Sequence, residues 1–181
     1  MDEGAKRLGK SRPFFDAVAA GDYEGAALIA RHSRRSWAQG EEYEEDFLFV
    51  DFLMKLFFLD APARDCEALL ERYEACLQGA EDLRLDICKA LLSADSEAFN
   101  EALERFLEAR KDSLEEMAET QTFPEEMRAT EWNLSVEGVA LARLAERKGL
   151  RTEEEYLHVP SLAREDEPMS FHEDSWKDID A

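Results

Sequence analysis

The chain has 181 residues, of which 43 are acidic and 22 basic, for a formal net charge of −21. A field of that size repels nucleic-acid phosphate and anionic lipid, and attracts a basic partner whose encounter it accelerates until salt screens it. With 45% hydrophobic residues and only eight glycines and five prolines, the composition suits a buried core and excludes a disordered chain.

The elements follow in order. A basic arm with Lys6, Arg7, Lys10 and Arg12 precedes the first helix, which begins near Arg12 and Pro13, proline being favourable in a first turn. No apolar stretch follows the arm, so a secretory signal is not expected. Gly21 stops the helix. Asp22 then caps a second one reaching about Ser36, with Ala26, Ile29 and Ala30 inward. Gly40 opens an acidic segment that leads into a third helix ending at Leu59. Phe47, Leu48, Phe49, Val50, Phe52, Leu53, Leu56, Phe57 and Phe58 cover nearly every face of it, as in a central, buried helix. Its Asp51 and Lys55 stand four apart in the favourable order for a helical ion pair. The run is too short and too charged to cross a bilayer.

A fourth helix runs from Pro62 to Gly79, with Leu69, Leu70, Tyr73 and Leu77 inward, and a fifth from Ala80 to Ser93. Asp95 caps a long sixth carrying Phe99, Leu103, Phe106, Leu107, Leu114 and Met117. Phe123-Pro124 breaks the pattern. The seventh starts at Glu125 or Thr130 and ends at Lys148, where Gly149 supplies the left-handed stop. Thr152 with Glu155 has the spacing of a capping box, which predicts a short eighth helix cut off by Pro160. The segments 17–22 and 90–95 share an Ala-apolar-x-x-small-Asp pattern, the grammar of αα-hairpins. The expected fold is therefore all-α: an antiparallel helical bundle of stacked αα-hairpins with about seven to eight helices. One domain covers 13–164, between a flexible basic arm (1–12) and an acidic tail (165–181) that is expected to be mobile.

Chemical motifs are missing. There is no Gly-rich phosphate loop, HExxH, GxSxG or CxxC. Cys66, Cys76 and Cys88 are odd in number and read as free thiols buried in a cytoplasmic protein. His32, His158 and His172 are scattered, and no E-x-x-H pair supports a di-metal bundle. Asp51 and Glu137 are the candidates for buried polarity, with structural pairing to Lys55 or to an arginine such as Arg143 as the expected explanation. No catalytic residue, cofactor or metal is expected.

Residues 130–164 contain, in order, Thr130-Glu131, Val136-Glu137-Gly138-Val139-Ala140-Leu141, Leu144-Ala145, Gly149-Leu150, Tyr156, Val159-Pro160-Ser161 and Ala163-Arg164. Upstream stand Asp46-Phe47-Leu48, Leu59-Asp60-Ala61-Pro62 and Arg84-Leu85-Asp86-Ile87-Cys88-Lys89-Ala90-Leu91-Leu92. Together these pieces resemble the immunity protein 49 family of bacterial polymorphic toxin systems over about residues 35–165. The resemblance implies a small all-α cytoplasmic inhibitor, not an enzyme, which binds a cognate toxin domain one-to-one and protects the producing cell. The charge suggests a basic, nuclease-like toxin whose active or substrate surface an acidic face could cover, and no contact with nucleic acid or membrane. An acidic helical-hairpin adaptor or secretion chaperone is the competing reading, and a many-client binding pattern would distinguish it.

The contact residues expected for a toxin are Glu41, Glu42, Glu44, Glu45 and Asp46, with Tyr43 as an aromatic anchor. A solvated helix N-terminus explains the same acids. Trp37 and Trp132, near helix ends, are either further anchors or core residues. In the tail, Phe171 and Trp176 sit among acids, as in a segment that orders on a basic partner.

Overall fold

Local capping and one unusually greasy helix account for most of the architecture. A computed structural model describes residues 11–120 and 132–165. Among them seven helices follow one another: α1 (Arg12–Ala19), α2 (Tyr23–His32), α3 (Glu44–Phe58), α4 (Ala63–Leu77), α5 (Leu83–Ser93), α6 (Ser96–Thr120) and α7 (Val136–Lys148). A 3-10 turn at Ser161–Arg164 follows, and the described residues contain no strand, only an isolated bridge between Tyr156 and Val159. The chain is all-α, as its composition predicts. Apart from Ser11, Arg12 and Glu165, the arm and the tail lie outside the described residues, as do Phe123-Pro124 and both expected starts of the seventh helix.

The centre is α3. Every residue from Phe47 to Met54 is buried, and the helix packs against α2, α4 and α5. Phe15 stacks on Phe49 and Phe14 meets Phe58 edge-on, which ties α1 to α3, while the other side of α1 lies on α7. Burial on all sides leaves Asp51 only 2% exposed, and it is charge-balanced by Lys55 at 2.7 Å and Arg35 at 3.5 Å. The predicted Asp51–Lys55 pair is therefore formed. Cys66 and Cys88 are buried and Cys76 is half-buried; all three are free thiols, and burial raises the pKa of each.

The hairpin joints follow the repeated pattern. Asp22 accepts from the Gly25 N–H at 2.8 Å, and Asp95 accepts from Glu97 and Ala98 at 3.1 Å each. Just before each cap the backbone turns left-handed, at Gly21 (φ 73°) and Ala94 (φ 55°). Asp60 (φ 49°) after α3 and Gln78 (φ 51°) after α4 adopt the same conformation without being glycine.

Three boundaries differ from the sequence reading. The second helix stops at His32 rather than near Ser36, where the Ser33 hydroxyl turns back onto the Ile29 carbonyl at 2.8 Å. The fifth begins at Leu83 rather than Ala80, because the Asp82 carboxylate accepts from the Arg84 N–H at 2.9 Å and fixes the start there. The eighth helix does not form. Its two capping residues have other partners: Thr152 donates to Glu146 at 2.9 Å, and Glu155 accepts from both the N–H and the hydroxyl of Ser161. Residues 151–160 are instead a loop stitched to α6.

Gly138, in the first turn of α7, marks a close approach. A Cβ there would stand 2.7 Å from Val159 Cγ2 and 2.8 Å from Leu107 Cδ2. Gly138→Ala gains about 1 kcal/mol of helix propensity, but it must displace a stiff β-branched valine, and overpacking of this kind costs about 1–3 kcal/mol. A net loss of stability is expected in chemical denaturation; a variant more stable than wild type would show that Val159 yields freely.

Candidate functional site

The strip at residues 41–46 is acidic in sequence but mostly neutralised in the fold. Arg34 lies 4.0 Å from Glu41. The Glu42 carboxylate accepts from the Ala38 N–H at 3.0 Å, and the Glu42 carbonyl accepts from the Trp37 indole at 3.0 Å. Arg72 holds Glu44 at 2.6 Å and Arg84 holds Asp46 at 2.8 Å. Glu45 is half-buried in the first turn of α3, where the helix dipole favours it. Tyr43 projects from the strip, 74% exposed, the most exposed of the large hydrophobic side chains among the described residues. Trp37 packs against the core and Trp132 is half-buried just ahead of α7. Phe171 and Trp176 lie outside the described residues. The structure thus brings Trp37 and Tyr43 together with the acids of one loop.

Unneutralised negative charge lies on α6. Glu97, Glu101, Glu104, Glu108, Asp112, Glu115 and Glu119 recur at spacings of three or four, and all seven are exposed. On a helix that spacing forms one straight stripe about 33 Å long. Among the described residues only Glu115 of the seven has a salt bridge, to Lys111 at 3.4 Å. Opposite faces of the same helix carry Phe99, Leu103, Leu107 and Leu114 into the core. Four of the neighbouring acid pairs stand at i,i+4, where like charges cost an isolated helix about 0.2–0.5 kcal/mol per pair. Packing of the inner face holds α6 helical against that repulsion. The stripe was legible in the sequence as a heptad-like recurrence of acids.

A second feature closes the end of the bundle where α3, α5 and α7 begin. Arg84 reaches across 38 residues of sequence to Asp46, and its Nε and Nη2 clasp Asp82 at 3.2 and 2.9 Å. The guanidinium lies 5.3 Å over the Phe49 ring, and the Tyr73 hydroxyl donates to Asp82 at 2.6 Å. Burial opposes ionisation of Asp82, but the hydrogen bonds from Arg84 and Tyr73 outweigh it and lower its pKa. Tyr73 is pushed up by burial. Glu137, on the first turn of α7, faces this network. Burial is the main cause of its raised pKa; Arg84 and Arg110 oppose the rise, and Asp46 and Asp82 add to it. The expected pairing of Glu137 with an arginine such as Arg143 does not form: Arg143 points the other way and donates to the Glu165 carbonyl at 2.9 Å.

The motif residues near the C-terminal end are structural staples. Tyr156 donates to Asn100 at 2.7 Å and accepts from the Glu153 N–H at 2.8 Å. Arg164 spans Thr152 at 3.1 Å and the Glu153 carbonyl at 2.7 Å, with its guanidinium 5.5 Å from the centre of the Tyr156 ring. The Ser135 N–H donates to the His158 carbonyl at 2.8 Å and so fastens the loop to the start of α7. None of these groups points to a reaction. Among the described residues no group of three histidine, cysteine or acidic side chains could hold a metal ion, and no helix is long and apolar enough to cross a membrane.

Comparison with curated proteins and with solved structures finds no match. The family model for Immunity protein 49 matches residues 8–162, most of the chain, and the chain therefore belongs to that family of immunity proteins.

Proposed function

We propose that this immunity protein acts in the cytoplasm by binding one cognate toxin domain, one-to-one, and covering its basic active or substrate surface with an acidic face. The observation that carries the reading is the α6 stripe: seven exposed acids in line, six of them without an ion-pair partner among the described residues. Spaced about 5–6 Å apart along the helix, the charges are sparser than the one per 3.4 Å along a DNA strand. They are nonetheless a partial phosphate mimic, suited to the substrate groove of a nuclease-like effector. Tyr43 and the 41–46 strip, largely neutralised from within, serve as an anchor rather than as the field. Fast association comes from the field, and slow dissociation from a few buried contacts.

The reading is tested by co-purifying the protein with the product of the adjacent upstream gene, and by titrating that product's toxicity. A tight one-to-one complex that abolishes toxicity, and associates more slowly as salt rises, supports it. Absence of a complex, or binding to many unfolded clients, overturns it in favour of an adaptor or chaperone.

A further inference from the structure

The hairpin of α5 and α6 leaves an open groove of 420 Å³ between its two helices. Each helix lends it one face, at spacings of i, i+3, i+4 and i+7, from Asp86 to Ser93 on α5 and from Ala98 to Arg105 on α6. Ala90 and Ala102, 3% and 4% exposed, form the floor, and side chains this small leave the trough unfilled. Arg105 crosses from α6 to Asp86 at 3.7 Å and to Glu81, and so bridges one end. Lys89 pairs with Glu74 on α4. The other end, at the hairpin joint, is left open by the small, exposed Ser93 and Ala98. Both cations of the rim are thus taken by acids of the fold. Glu101, on the same rim, forms no hydrogen bond or ion pair with a described residue. With Glu74 and Glu81 included, four acids here meet two bases.

We propose that this groove seats one arginine or lysine side chain of the bound toxin domain. The methylene stem lies on the alanine floor, and the charged end meets Glu101. Charge complementarity selects this occupant. An apolar side chain would cover the floor but leave Glu101 shielded from water and unpaired. A second copy of this chain would bring another −21 of charge to the same face and is repelled. Glu101 also belongs to the α6 stripe, so a basic surface drawn by the stripe arrives with the groove directly beneath it. The inference rests on the proposed function and adds to it the contact that slows dissociation: the stripe governs encounter, and the groove supplies the grip.

The test measures association and dissociation rates with the toxin domain encoded by the adjacent upstream gene. Ala98→Leu fills the groove without changing charge, and Glu101→Gln removes the charge without changing shape. Ala68→Leu, at an exposed alanine of α4 outside the groove, is the control. Ala98 and Glu101 are both exposed, so the variants are expected to fold, and melting temperatures verify it. Dissociation should quicken about tenfold or more for Ala98→Leu, with association within about twofold of wild type. For Glu101→Gln it should quicken about fivefold or more, while the remaining acids of the stripe keep association within about threefold. The control should change neither rate beyond about twofold. A smaller rise in dissociation for either folded variant overturns the seated cation, and a rise with Ala98→Leu alone replaces it with an apolar occupant. Should Ala98→Leu fold poorly, Glu101→Gln decides by itself. In each of these cases the immunity function stands, because wild type still binds and neutralises the toxin. Failure of wild type to bind removes both.

Discussion

Replacing Arg84 by methionine is expected to cost about 3 kcal/mol of stability, the low end of the range for removing one partner of a buried ion pair, because the side chain is still 24% exposed. The substitution leaves Asp46 and Asp82 without the guanidinium that holds both. For a chain of this size that corresponds to a fall in melting temperature of roughly 6–12 °C. Arg84→Lys should recover only a fraction of it. A single ammonium cannot clasp Asp82 with two nitrogens and reach Asp46 with a third, nor stack on Phe49 as a planar group does. The loss carries a pH signature. Asp82 has a lowered pKa in the folded state, so its contribution is present above the unfolded value and disappears as pH falls through the folded one. Thermal melts across the acid range should therefore show wild type and Arg84→Met converging at low pH. A variant as stable as wild type at pH 7 would mean that α3 and α5 are held together by apolar packing alone.

The other large effect is kinetic. Reversing Glu104 and Glu108 together to lysine is expected to slow association with the cognate toxin by tenfold or more at low salt. It should also flatten the salt dependence of the rate, since steering by a charged face can raise on-rates by one to three orders of magnitude. Both side chains are exposed and form no hydrogen bond or ion pair with a described residue, so stability should hold or rise as repulsion along α6 is relieved. Stopped-flow association at several ionic strengths reads the effect directly. An unchanged on-rate with an unchanged salt slope would place the toxin on another face, with the 41–46 strip and Tyr43 as the next surface to reverse.

What could be read in advance was local. The apolar run of α3, the caps at Asp22 and Asp95 and the stop at Gly149 are decided within one turn of chain, and they stand where the sequence places them. Thr152 and Glu155 have the right spacing for a cap but find stronger partners at Glu146 and Ser161, which only the folded chain brings near. The acidic strip at 41–46 is correctly read as acidic, yet its neutralisation by Arg72 and Arg84 depends on contacts 28 and 38 residues away. The α6 stripe was visible as spacing, but acids are so common in this chain that pairs such as Glu115-Glu116 read simply as solvated surface. What the fold adds is that the acids stand in one line on the outer face of a single helix, six of them with no ion-pair partner among the described residues.

The residues that carry the family resemblance, Gly138, Tyr156, Val159 and Arg164 among them, hold helices and a loop in place and present little to a partner. The motifs that mark membership of the family therefore describe a scaffold.

Three joints of that scaffold, at Asp60, Gln78 and Ala94, turn left-handed on residues that carry a Cβ, a conformation that costs roughly 1–2 kcal/mol each for an L-residue. The bundle is therefore prestressed at its hinges. Opening should begin there, hairpin by hairpin, before the helices themselves melt. The same positions show where robustness has been left untaken, because glycine would adopt each turn without strain.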